Sequence, residues 1–508
     1  MSQKDDVRNP SAQYYQIGVS RPALQVDDLP TPEEVFKVKR IGLEELFLLV
    51  LGPGVIALGL AIGSGEWLLG PLVVGGYGFK GIGWVILVSA VLQTFYNVEL
   101  ARFTIATGEP PVVAFGRTPP GFFFWVPLSL ICFYAAFMLG GWTVSAGASL
   151  FALFSGRPYV AAELETVRIL GIALLASTFL FVLFGQRIER TLEIVMGVFL
   201  IFILTGLVLV TLIVVPPDYL GRALASLIIP AAPPKGTDPS LLGALAGFSA
   251  LASGLNFMII GLYRDKGYGM GHKTGYIPGL IGGRPAEILP VGKTFPENEK
   301  NAALWKRWFR YLLIDQWGIF FIGSMIGIMA PCILVGYMSS LPGAEPPTEN
   351  SVSVYAAVHL GQRYGPALFG WALLTGFFIL YKTQIAILEA LTRTMTDAVY
   401  GVCARLRTWT GNDPRRFYYP WMFLMVAVIS GMIHIALPVH LIVLSANLSN
   451  LASLIFPLVM IYLNRQLPRP ARIKWWSYLA LVCNVIFFGF FFVNFMAVQL
   501  TGTPLVRF

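Results

Sequence analysis

The chain has 508 residues, of which 56% are hydrophobic and only 12% charged, against about 25% charged in soluble domains. Water is excluded as its main solvent. The net charge of +9 does not call for a nucleic-acid partner, because basic excess in a membrane protein collects in its cytoplasmic loops.

Residues 1–41 are polar and contain Pro, with no basic start leading into a short apolar run and cleavage site, so they read as a cytoplasmic tail and not as a signal peptide. Eleven apolar stretches follow, near 45–75, 82–106, 121–153, 167–185, 191–215, 241–263, 309–336, 366–392, 419–436, 440–463 and 475–499. Each suffices to span a hydrocarbon core of about 30 Å. Each must be helical, since lipid offers no partner to backbone amides. With the N-terminus inside, the inner segments hold about 28 of the 36 Lys and Arg residues, which orients a multi-pass protein of the cell (inner) membrane. Cys132, Cys332, Cys403 and Cys483 lack the spacing of a metal cage or disulfide framework and read as packing residues. The inner loop 264–306, with Gly282-Gly283-Arg284-Pro285, shows no helix or strand pattern.

Two spans are interrupted at matching places. Span one carries Ala61-Ile62-Gly63-Ser64-Gly65-Glu66-Trp67, and span six carries Leu251-Ala252-Ser253-Gly254-Leu255-Asn256-Phe257. Gly-interrupted spans in corresponding positions of two halves point to an inverted repeat whose broken helices meet at the midplane around a substrate. An unwound turn frees carbonyls and helix ends for a polar solute, and Gly allows it at low steric cost. The competing explanation, small residues that let helices pack closely, accounts for either break alone but not for their symmetry. The expected units are repeat one (about 42–215), repeat two (about 241–463) and an extra helix (about 475–499). Gly63, Ser64, Gly65, Glu66, Ala252, Ser253 and Asn256 are the candidate substrate-binding residues.

Glu66 leads them, because a carboxylate at mid-span is expensive unless it faces a cavity or a partner; the alternative is a carboxylate capping the second half-helix. Glu99 lies three residues before Arg102, the spacing of a pair on one helix face, and is otherwise an inner-gate or coupling candidate. Gln93 and Asn97 share a helix face and suit interhelical hydrogen bonds better than a pathway lining. Lys382 places an ammonium inside span eight, where a sodium ion would otherwise sit, or else it snorkels. Glu389, seven residues on, is about 10 Å away along the axis, too far for a direct pair. Asn447 and Asn450, three apart in span ten, are further site candidates or interhelical hydrogen-bonding groups. His434 is expected to be a hydrogen-bonded core residue near mid-span.

Gly52-Pro53-Gly54, the break at 63–66 with Trp67, Ala101-Arg102, Ile105-Ala106-Thr107-Gly108, and a polar stretch from Ser445 to Pro457 resemble the Nramp family of proton-coupled divalent metal transporters. The resemblance implies an all-α, LeuT-like (APC superfamily) fold of two inverted five-helix repeats plus one helix. It also implies transport of a small inorganic cation, Mg²⁺ or Mn²⁺, with possible proton coupling; on the residues themselves, Glu66 as sole anion, supplemented by Asn256, Ser253 and free carbonyls, could hold a largely hydrated Mg²⁺. The family's metal motifs, Asp-Pro-Gly-Asn and Met-Pro-His, are replaced here by Gly63-Ser64-Gly65-Glu66 and Leu251-Ala252-Ser253. Without a thioether the site suits hard cations, and a carrier of a small organic solute on the same scaffold is the alternative. No nucleophile-and-base set or His-Glu-x-x-His motif suggests an enzyme, and no Walker motif suggests ATP. No filter-like repeat suggests a channel, and no cofactor is expected.

Overall fold

The computed structural model describes residues 14–15, 17, 24–183, 188–251, 255–275, 291–400 and 403–508. Seventeen principal helices are α1 Pro53–Ala61, α2 Gly70–Tyr77, α3 Gly83–Thr107, α4 Phe122–Phe137, α5 Gly141–Ser155, α6 Leu164–Leu183, α7 Ile188–Val214, α8 Pro217–Ile228, α9 Pro239–Phe248, α10 Leu255–Lys266, α11 Glu299–Leu313, α12 Ile322–Ser339, α13 Val352–Tyr364, α14 Pro366–Tyr400, α15 Arg415–Met432, α16 Pro438–Asn464 and α17 Trp475–Thr501. Among the described residues, nine helical stretches are long and apolar enough to cross a membrane. The two remaining expected spans are the interrupted α9/α10 pair and α15, which opens on Arg415-Arg416. The protein is thus a multi-pass integral membrane protein.

Sequence sets which helices face lipid. On α7 the apolar residues Ile201, Phe202, Leu209 and Ile213 are exposed, and on α17 so are Ile486 and Val493. Residues of α1, by contrast, are buried almost throughout. A broken helix has backbone groups that lipid cannot satisfy, so it belongs at the centre of the bundle.

The first break follows from local chemistry. Pro53 starts α1 at its first turn, where a missing N–H is harmless. The helix ends at Ala61, with Ile62 at φ −73°, ψ 82°, and a widened π turn over Gly65–Leu69 leads into α2. At the second break α9 ends at Phe248, and Ala250 stands at φ 103°, a region L-residues rarely occupy. Strain of this kind persists only where surrounding structure enforces it. Ala252 and Ser253 lie outside the described residues.

Three expectations change. The span expected over 121–153 is divided: α4 stops at Phe137, and Gly140 takes φ 73° before α5. His434 lies beyond the end of α15 and is exposed, with Nδ1 3.8 Å from the Glu165 carboxylate, so it is no core residue. The segments 1–41 and 264–306 also carry structure. Leu24–Val26 (β2) pairs antiparallel with Tyr14–Tyr15 (β1) and parallel with Lys293–Thr294 (β3); Gly282-Gly283-Arg284-Pro285 lies outside the described residues.

Downstream of β2 the chain is clamped to the face from which α1 starts. Asp27 binds Lys273 at 2.9 Å and Lys293 at 3.7 Å, Asp28 binds Lys300 at 2.9 Å, and Glu33 binds Arg307 at 2.5 Å. Trp308 Nε1 donates to the Pro30 carbonyl, and Phe36 packs on Tyr268 and Trp308. Burial raises the Asp27 carboxyl, but the lysines outweigh it and hold it below the usual range. Lys300 and Asn301 lower Asp28, and Arg307 lowers Glu33. Arg102 donates to the Ala471 carbonyl and Arg469 to Glu297 on the same face, so four of the basic segments assigned to one side of the membrane are brought together.

Candidate functional site

The two breaks touch. A β-carbon on Gly65 would stand 2.0 Å from the Phe248 carbonyl oxygen, closer than any real contact, so only glycine lets the unwound turns meet. Around this point Gly63, Ser64, Gly65, Glu66, Phe137, Trp142, Phe248, Ala250 and Thr383 surround a cavity of about 20 Å³, room for roughly one water-sized species.

Glu66 is fully buried in the π turn. The Gly63 amide donates to its Oε2 at 2.7 Å, and the Glu66 and Ala250 amides lie against the same carboxyl group. Oε1 has no partner of hydrogen-bonding geometry. The carboxylate therefore closes the turn with one oxygen and keeps a lone pair for something else. Lys382 on α14, also fully buried, donates to the carbonyls of Gly59 and Ile62, the last acceptors before the break. These carbonyls lose their helical donors where α1 ends, and the Lys382 side chain replaces them.

The rest of the wall is aromatic. Trp142 follows the α4/α5 interruption and donates from Nε1 to Ser64 Oγ at 2.9 Å. Phe137 stacks on Trp142 and on Phe248, with centroids 6.2 Å apart in each case. None of these three aromatics was among the sequence candidates. Leu139-Gly140-Gly141 was the available signal, hidden within an otherwise apolar run.

Other candidates sit elsewhere. Asn256 donates to Asn97 Oδ1 on α3. Asn447 donates to the carbonyls of Ser240 and Val443 and Asn450 to that of Gly243, tying α16 to α9. Glu99 forms a two-point buried pair with Arg102 and accepts from Asn464. Glu389 pairs with Arg393, not with Lys382, and Arg393 continues to Asp265, which with Asp397 binds Arg264. This five-residue cluster joins α10 to α14; only Glu389 of it was a sequence candidate. Among the described residues, no group of three or more His, Cys, Asp or Glu side chains could hold a metal ion.

The architecture is that of solved transporters. Structures of two point mutants of a manganese transporter from Eremococcus coleocola match at 15% identity each. One has a TM-score of 0.58 and covers 93% of each chain; the other has a TM-score of 0.57 and covers 96% of this chain and 93% of that one. MhsT in complex with L-phenylalanine matches with a TM-score of 0.51 over 87% of this chain and 98% of that one, again at 15% identity. No family model matches the chain, and no curated protein matches it significantly. A LeuT-like helical membrane fold is what these likenesses define for this chain.

Proposed function

We propose that this transporter is a secondary carrier of a small organic zwitterion with an apolar or aromatic body, bound where the two broken helices meet. The observation that carries this reading is the pairing of an aromatic wall, Phe137, Trp142 and Phe248, with one buried carboxylate that keeps Oε1 unpartnered. An ammonium group on the solute would complete Glu66, and flat apolar surface would pack against the rings. The neighbour that holds L-phenylalanine uses the same fold. Lys382 places a hydrogen-bond donor at the α1 carbonyls, so the proposed cycle needs no sodium there. The present cavity is too small for such a solute, and loading requires the half-helices to separate, as alternating access does.

The competing reading is transport of a divalent cation, Mg²⁺ or Mn²⁺, with Glu66 and Asn256 as ligands; the unpartnered Oε1 favours it, as does the resemblance to manganese transporters. Against it stand a single carboxylate and the nearby ammonium of Lys382, which repels a dication. In the same proposal the repeats span about 42–215 and 241–463, and the protein sits in the cell membrane with its clamped N-terminal face in the cytoplasm.

The test is uptake into proteoliposomes of L-phenylalanine, L-leucine and a betaine, set beside Mg²⁺, Mn²⁺ and Ca²⁺, for wild type and Glu66→Gln. Saturable, sodium-independent uptake of an organic solute that the variant loses supports the proposal. Uptake of a divalent ion alone establishes the competing reading.

A further inference from the structure

Far from the substrate site, at the opposite end of the first span from the N-terminal clamp, a second cavity of about 610 Å³ opens between α2, α8 and the end of α12. Its size is that of a ligand pocket. We propose that it binds one anionic glycerophospholipid, the phosphate held by Lys80 and Arg222 and an acyl chain laid in the apolar groove behind them.

Charge is the first argument. Lys80 and Arg222 both line the cavity, both are exposed, and no Asp or Glu lines it. Neither basic group forms an ion pair among the described residues, whereas Lys273, Lys293, Lys300 and Arg307 at the clamped face do. Arg222 is held in place by its guanidinium over the Tyr219 ring, 5.8 Å from the centroid, and that ring is itself wedged against Phe79 and Tyr337. The hydroxyls at the rim are spent on their own helices: Ser226 donates to Ala223, Ser339 to Val335 and Ser340 to Tyr337. The side-chain donors left for an anion are the two cations and the Tyr219 hydroxyl.

Position is the second argument. α8 follows α7 after Val215-Pro216 and so begins where a span ends. It is amphipathic, with Asp218 and Arg222 on one side, while Leu224, Ile228 and Ile229 are 47%, 76% and 60% exposed. A short helix with exposed apolar residues beside a basic one lies in the interfacial plane of a bilayer. The cavity mouth is therefore at headgroup depth, and its lining is mostly apolar. A water-soluble anion would leave that lining uncovered; a phospholipid matches both parts. Because the cavity is bounded by Val74 and Gly75 of α2 and by Gly336 of α12, its occupant also braces the half-helix that must move in transport.

The experiment uses the full chain, delipidated in neutral detergent and titrated with dioleoyl phosphatidylglycerol or dioleoyl phosphatidylcholine, with retained lipid counted by native mass spectrometry. Wild type is expected to keep one phosphatidylglycerol per chain in preference to phosphatidylcholine. K80A/R222A should weaken that retention about tenfold or more, each basic group near a lipid surface contributing a few-fold. Ser340→Trp, which sets a ring at the exposed rim of the groove but leaves both charges, should lose retention as well. Equal retention of both lipids, or retention of phosphatidylglycerol unchanged in both variants, overturns the proposal. Inorganic phosphate that displaces the lipid at millimolar concentration, with Ser340→Trp unaffected, also overturns it in favour of a free anion.

Discussion

Lys382 on α14 donates its ammonium hydrogens to the carbonyls of Gly59 and Ile62, so a side chain from the second half of the protein completes the broken turn of the first. Under the proposed reading this is a cation site with a covalently attached occupant. Lys382→Ala should empty it, lowering Tm in detergent through the loss of about 2–3 kcal/mol as the two carbonyls lose their donor. Sodium chloride, compared with choline chloride, should then raise the Tm of the variant and leave wild type unchanged. A variant indifferent to sodium would mean that the carbonyls close up or hydrate instead.

Trp142 tests the wall. Trp142→Phe keeps a ring to stack on Phe137 but loses the bond to Ser64, worth about 1 kcal/mol. Substrate affinity should fall several-fold in Trp142→Phe and much further in Trp142→Ala, measured by uptake competition. Equal effects would show that the Ser64 bond, and not the ring, is what matters.

Gly65→Ala drives a methyl into the Phe248 carbonyl and should destabilise by roughly 3 kcal/mol or abolish transport, since neither backbone can retreat. Gly76→Ala, where a β-carbon meets nothing within 4 Å, should stay within about 0.5 kcal/mol of wild type and serves as the control. Thermal unfolding of both variants in one detergent decides the comparison.

The clamp over residues 24–37 should depend on pH in a definite direction. Asp27, Asp28 and Glu33 have carboxyls lowered by their lysine and arginine partners. A lowered carboxylate contributes its stability above its unfolded pKa and loses it as pH falls through the folded value. Docking should therefore be complete at neutral pH and weaken below about pH 4. D28A/E33A should loosen it at pH 7. Amide hydrogen exchange across Leu29 and Trp308 reads both effects; protection that is insensitive to the double substitution would assign the clamp to β2/β3 pairing and Trp308 alone.

Arg393 sits between Glu389 and Asp265, all three almost fully buried. Arg393→Ala leaves Glu389 without a counter-ion and Asp265 with Arg264 alone, and should cost about 3–5 kcal/mol, read as lost Tm and poor yield. Asp265→Asn with Glu389→Gln in the same chain should restore part of it.

The helical architecture and the two breaks were legible because both are local: apolar length gives a span, and Gly63-Ser64-Gly65 gives an unwound turn. The Glu99/Arg102 pair was legible for the same reason, being three residues apart on one face. The aromatic wall was not. Leu139-Gly140-Gly141 lies within one long apolar run, and nothing local says that Gly140 turns left-handed and swings Trp142 toward Ser64. The ion cluster was illegible because Asp265 and Arg393 are 128 residues apart, and a single sequence carries no record of which distant charges meet.

The clamped N-terminal segment has a temporal meaning. Residues 24–37 leave the ribosome long before their partners, since Lys300 and Asn301 lie 272 and 273 positions from Asp28, and Trp308 is 278 from Pro30. The side-chain partners named for this segment are made only after the first six spans, the earliest of them being Tyr268 and Lys273. Its docking is then a completion signal written into the fold: an exposed, protease-accessible segment 24–37 marks a chain that is still assembling, and a protected one marks a chain whose two halves have found each other.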